Sequence, residues 1–103
     1  MVYFNLQTPL VVTNSRKDGE KARERFDLDT LDKNQKDIIY VFKIRDGMFS
    51  IGPSYLSGLF FKSTQVLSKE EFKKKYRFEC SNKSILTSID KFIEAEYNLD
   101  LPF

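Results

Sequence analysis

Apolar and polar residues recur along this chain with two periods, and each change of period marks a new element. Val2–Leu6 is short, apolar and aromatic, and Pro9 interrupts it before Leu10-Val11-Val12-Thr13. Both pieces predict short strands, in a hairpin or at an edge, because proline cannot donate to a central ladder. Asn14-Ser15-Arg16-Lys17-Asp18-Gly19 has turn composition and offers N-caps for a helix over 20–31. In that helix Ala22 and Phe26 share one face, with charged residues around them. The polar stretch 27–37 predicts a loop. Ile38-Ile39-Tyr40-Val41-Phe42 is a continuous β-branched and aromatic run, the pattern of a strand covered on both faces at the centre of a sheet. Lys43 to Gly47 lead out of it, and residues 48–51 extend it after a glycine-centred bend.

Gly52-Pro53-Ser54 marks the next helix start, since proline loses nothing in a first turn. Leu56, Leu59 and Phe60 fall on one face of that helix, which runs to about 66. Ser68 and Glu71 have capping-box spacing, with Leu67 and Phe72 at the staple positions, so a short helix follows to about 75. Tyr76-Arg77-Phe78-Glu79-Cys80 alternates strictly and predicts a strand. Ser81-Asn82 caps a last helix whose stripe is Ile85, Leu86, Ile89, Phe92 and Ile93. It ends at Asn98 or Leu99, before the apolar tail Leu101-Pro102-Phe103. The resulting order is β-β-α-β-α-α-β-α: one α/β domain over 1–103, a small mixed sheet with helices packed against it.

Composition changes this picture mainly by exclusion. The chain has no histidine and one cysteine, Cys80. The commonest general base, the commonest zinc ligand and any thiolate zinc site are therefore missing, and neither a metal nor a cofactor is expected. A lone cysteine forms no internal disulfide and suits a reducing compartment. The N-terminus lacks the basic and apolar regions of a leader, and no apolar run approaches the ~20 residues that span a bilayer. A cytoplasmic chain without membrane contact is expected. The net charge of +2 is too small to imply a polyanionic partner by itself.

Ser15-Arg16-x-x-Gly19-x-x-Ala22-Arg23, the apolar strand, and Gly47-x-x-Ser50-Ile51-x-x-Ser54-Tyr55-Leu56-x-x-Leu59-Phe60 form a series that resembles the STAS-like domains of unknown function. These are bacterial and phage-borne relatives of the anti-sigma-factor antagonists. Glu71-Phe72-Lys73-Lys74-Lys75 and the closing strand–helix pair extend the resemblance over about 13–97. It implies a non-enzymatic adaptor whose protein partner is an ATPase of the histidine-kinase-like type. In the antagonists a serine at the start of the helix after the central strand is phosphorylated. Here that position falls on Pro53, which cannot accept phosphate, and Ser54 and Ser50 are the nearby hydroxyls.

From these residues the expected partner surface is Ser50, Gly52, Pro53, Ser54, Tyr55 and Ser57, with free helix N–H groups, small residues and Tyr55 as aromatic anchor. Plain helix capping and core placement are the competing readings. Lys69, Lys73, Lys74, Lys75 and Arg77 form the densest basic cluster, either a nucleic-acid footprint or a solvated helix face, and the interleaved glutamates favour the latter. Asp27, Asp29 and Asp32 read as solvated loop, Lys43 and Asp46 form no complete mechanism, and Cys80 reads as buried. Two alternatives to the adaptor are a small phage-type inhibitor of a host enzyme and a nucleic-acid-binding protein using 69–77.

Overall fold

The structure, a computed structural model, describes residues 1–6, 12–48 and 50–98. Expectations for Pro9, Leu10, Val11, Phe49, Leu99 and the tail 101–103 lie outside these residues. The element order is β1 (Val2–Leu6), β2 (Val12–Thr13), α1 (Arg16–Phe26), α2 (Leu28–Lys33), β3 (Tyr40–Ile44), β4 (Ser50–Ile51), α3 (Pro53–Val66), α4 (Lys69–Lys75), β5 (Tyr76–Glu79) and α5 (Lys83–Tyr97).

The strands form a three-stranded sheet in the order β1-β3-β5 and a two-stranded sheet β2-β4. Every described pairing is parallel, with Val2 opposite Tyr40, Tyr40 opposite Tyr76, and Val12 opposite Ser50. This corrects the mixed sheet, and of the two N-terminal readings, hairpin or edge, it gives the edge, since β1 is an outer strand. The connections between paired strands hold whole helices, and a helical crossover returns the chain parallel. The 38–42 run supplies the central strand only from Tyr40: β3 starts there and continues through Lys43 and Ile44, beyond the expected end at Phe42, and it is flanked on both sides.

It is not covered on both faces. Tyr40, Phe42 and Ile44 join Leu6 and Tyr76 in the core, where Phe42 meets the rings of Phe26, Phe60, Tyr76 and Phe78. The opposite face carries exposed Tyr3, Asn5, Lys43, Arg77 and Glu79. Val41 is buried in the middle of that face but lies outside the core cluster.

The helix expected over 20–31 is two helices. Ser15 caps α1 by accepting from the Asp18 N–H, so Gly19 lies inside the helix and not in a turn. Asp27, in the left-handed region at φ 54°, ends α1 and opens α2. Gly19 is needed for contact, since a Cβ there would lie 2.1 Å from the Tyr55 carbonyl oxygen, and one on Gly58 would lie 2.1 Å from that of Arg16. Helices α1 and α3 therefore cross backbone against backbone. The capping box at Ser68 and Glu71 is complete, and Leu67 and Phe72 are buried beside it. Asn82 caps α5 by accepting from the Ser84 N–H, and Ile85, Ile89, Phe92 and Ile93 are buried along its stripe.

Candidate functional site

The head of α3 lies where β4 delivers it. Gly52 is the N-cap residue and Pro53 the first helical position, and Gly52 brings no side chain to cap the helix. The cap comes from a distant residue: the Ser54 N–H donates to Asn14 Oδ1 at 3.0 Å. A Cβ on Gly52 would lie 2.0 Å from that oxygen, so the glycine makes room for the asparagine. One of the free donors expected at this helix head is therefore taken. Asn14 was legible only as a local cap for α1; its role here depends on β2 pairing with β4.

Ser54 is exposed, Ser50 is half-buried in β4, and Ser57 Oγ accepts from Arg16 Nη1 at 2.8 Å. Tyr55 is only 2% exposed. It faces the core, where burial pushes its phenol up from the ordinary value. This corrects its assignment as an aromatic anchor. Tyr55 and Leu59 are four positions apart on one helical face, and the buried side of α3 extends round to both.

Pro53, Ser54 and Ser57 instead line one side of an open groove of about 560 Å³. Ile51 also lines it, and α5 contributes Phe92, Ala95 and Glu96. The cations Arg16 and Lys91 line it as well. Arg16 is held by Glu20 at 3.2 Å as well as by Ser57. The α5 residues were missed because that helix was read only for its buried stripe. The small residues Ser88 and Ala95, seven positions apart, were the available signal.

The basic cluster does not form one surface. Lys69 and Lys73 both bond the Glu94 carboxylate of α5, which holds that carboxyl below the ordinary glutamate value. Lys75 Nζ donates to the carbonyls of Leu31, Asp32 and Asn34, closing the C-terminal end of α2. Lys74 is exposed on α4, and Arg77 projects from the bare face of the sheet.

Asp32 is 6% exposed, which corrects its placement in a solvated loop. Its carboxylate accepts from Arg23 Nη2, Ser63 Oγ and the Tyr76 hydroxyl. Arg23 also donates to Asp29 and to the Leu59 carbonyl. Burial and the Asp32 hydrogen bond push the Tyr76 phenol far up, so it stays a donor. These groups are mutually bonded, so their evident work is to tie α1, α2, α3 and β5 together.

Among the described residues no cluster of three histidine, cysteine, aspartate or glutamate side chains is placed to hold a metal ion. Lys43, Asp46 and Cys80 line a crevice of about 530 Å³ at the carboxyl ends of β1, β3 and β5. Asp46 there accepts from Ser81 Oγ at 2.8 Å, and Cys80 is half-buried, less enclosed than its alternation suggested. No described helix is long and apolar enough to cross a membrane. Compared with protein-family models, curated proteins and solved structures, the chain matches none.

Proposed function

We propose that this chain is a non-enzymatic, STAS-like regulatory adaptor of a bacterial or phage system. It binds a protein partner in the cytoplasm, an ATPase of the histidine-kinase-like type being the partner the resemblance implies. The seat is the groove between the head of α3 and α5. One observation carries this reading: Pro53, Ser54 and Ser57, singled out as partner-binding, share a groove with Ile51, Phe92 and Ala95. Apolar floor beside small and charged rim residues is the composition of a protein interface. Ser54 is the exposed hydroxyl nearest to the position that is phosphorylated in the antagonists, and a phosphate on it would stand at the groove's edge. The nucleic-acid reading loses support because Lys69 and Lys73 are paired with Glu94 and Lys75 with the carbonyls at the end of α2.

The test is capture of the partner by tagged wild-type chain and by variants, quantified by mass spectrometry. Ala95 and Ser54 are exposed, so Ala95→Trp and Ser54→Glu change the groove without entering the core. Each should reduce one specific captured protein at least tenfold, equivalent to ~1.4 kcal/mol. Lys74→Glu should leave it unchanged. If the lysine reversal removes the partner and the groove variants do not, the seat lies on α4 and the assignment fails.

A further inference from the structure

The α3–α5 groove presents hydrogen-bond donors that the fold leaves unused. Lys91 lines it, is exposed, and makes no hydrogen bond or ion pair among the described residues. The positions three and four away on its helix are Thr87, Ser88, Glu94 and Ala95, and the Glu94 carboxylate is held by Lys69 and Lys73. Arg16 engages Glu20 through Nε and Ser57 through Nη1, which leaves Nη2 without a hydrogen-bond partner among the described residues. The hydroxyls of Ser54 and Ser57 donate to no described acceptor, and Ser57 Oγ only accepts from Arg16. The groove also starts at the positive end of α3, a helix of 14 residues.

Against these donors stands a single acid among the lining residues, Glu96, which has one oxygen buried and is bonded to neither cation. The floor beneath them is apolar, with Ile51, Pro53, Phe92 and Ala95. Donors in excess over an apolar floor are complemented by an acceptor carried on an apolar segment.

We propose that the partner segment seated in this groove is acidic: it lays an apolar side chain along Ile51 and Phe92, and a neighbouring carboxylate accepts from Lys91 Nζ and Arg16 Nη2. This deepens the adaptor reading and rests on it for the identity of the groove as the partner's seat. Both cations are exposed, so the pairing governs selection and encounter more than strength. A neutral or basic segment of the same shape would leave Lys91 partly desolvated and unpaired, so the groove discriminates against it.

The probes are sodium 4-phenylbutyrate and its neutral analogue 4-phenylbutanamide, titrated at low salt into the ¹⁵N-labelled chain and followed by amide NMR shifts. Phenylbutyrate should shift the amides of Ser57, Ser88 and Lys91 saturably, and the amide analogue should bind at least fivefold more weakly. Sodium phosphate, an anion without an apolar stem, should not displace it at equal concentration. Lys91→Gln should weaken the preference for the carboxylate, and Lys91→Gln with Arg16→Gln should abolish it. Lys74→Gln, which removes an exposed cation outside the groove, should leave it intact. Equal responses to the two probes, a preference that survives the double variant, or displacement by phosphate overturns the proposal. In the capture assay Lys91→Glu should lower the captured protein at least tenfold, as Ala95→Trp does. If Ala95→Trp and Ser54→Glu release the partner and Lys91→Glu does not, the groove reading stands and the acidic segment does not. If no groove variant changes capture while the double variant loses the preference for phenylbutyrate, the groove takes a carboxylate ligand and the adaptor reading fails.

Discussion

A single methyl group at position 58 should destabilise this protein, although local propensity alone argues the reverse. Alanine is about 1 kcal/mol better than glycine in a helix interior, so Gly58→Ala at a free helix face would stabilise. Here the new Cβ would lie 2.1 Å from the Arg16 carbonyl oxygen and 2.9 Å from the Glu20 nitrogen, both backbone atoms. A carbon–oxygen contact needs about 3.3 Å, so α1 must back away by about 1 Å. Overpacking of this kind costs ~1–3 kcal/mol. The same movement loosens the bonds from Arg23 to the Leu59 carbonyl and to Ser63, each 2.9 Å. The net expectation is a loss of about 2 kcal/mol, or roughly 10 °C in melting temperature. Urea and thermal unfolding followed by circular dichroism measure both. Gly19→Ala should behave alike, and the double variant should cost less than the two singles combined, because the first separation makes room for the second methyl. A Gly58→Ala protein as stable as wild type would refute the backbone-to-backbone crossing.

Two further outcomes follow from the charged groups. Asp32→Ala leaves Arg23 buried beside Ser63 and Tyr76 without its main partner and should cost ~3–5 kcal/mol in urea unfolding. Tyr76→Phe, removing only one donor, should cost far less, and equal losses would contradict the network as drawn. The Glu94 carboxyl is held below its ordinary value of 4.5 by Lys69 and Lys73, so its contribution is complete above about that pH and disappears as pH falls through the lowered folded value. A Glu94→Gln protein should therefore be less stable than wild type near neutrality and converge with it in acid; a difference that persists at pH 2 would contradict the pairing.

Local signals in the sequence were accurate where local physics decides. The Ser68 capping box, the α5 stripe and the central strand that takes in Tyr40, Val41 and Phe42 all depend on short-range spacing. Gly19 misled because glycine serves tight turns and close helix contacts alike, and only the approach of Tyr55 and Leu59 shows which applies. The stretch 27–37 misled because hydropathy reads Asp32 as solvated. Its burial is compensated by Arg23 nine positions earlier and by Ser63 and Tyr76 much later. One wall of the α3–α5 groove was legible as small residues at a helix head. Its other wall was not, because Phe92, Ala95 and Glu96 are far along the chain.

The all-parallel pairing also bears on the time course of folding. Val2 meets Tyr40, Val12 meets Ser50 and Tyr40 meets Tyr76, which places partners 38, 38 and 36 positions apart. No described strand can zip to a neighbour through a tight turn, so each ladder must wait for a long segment to close. Each helix can form from local contacts without such a delay, but the meeting of α1 and α3 through Gly19 and Gly58, 39 positions apart, needs a closure as long as any strand pairing. Until the sheet closes, the apolar run at the centre of β3 has unpaired edges, which makes the early chain vulnerable to association with other copies. Refolding yield should accordingly fall with protein concentration more steeply than the stability of the finished fold would suggest.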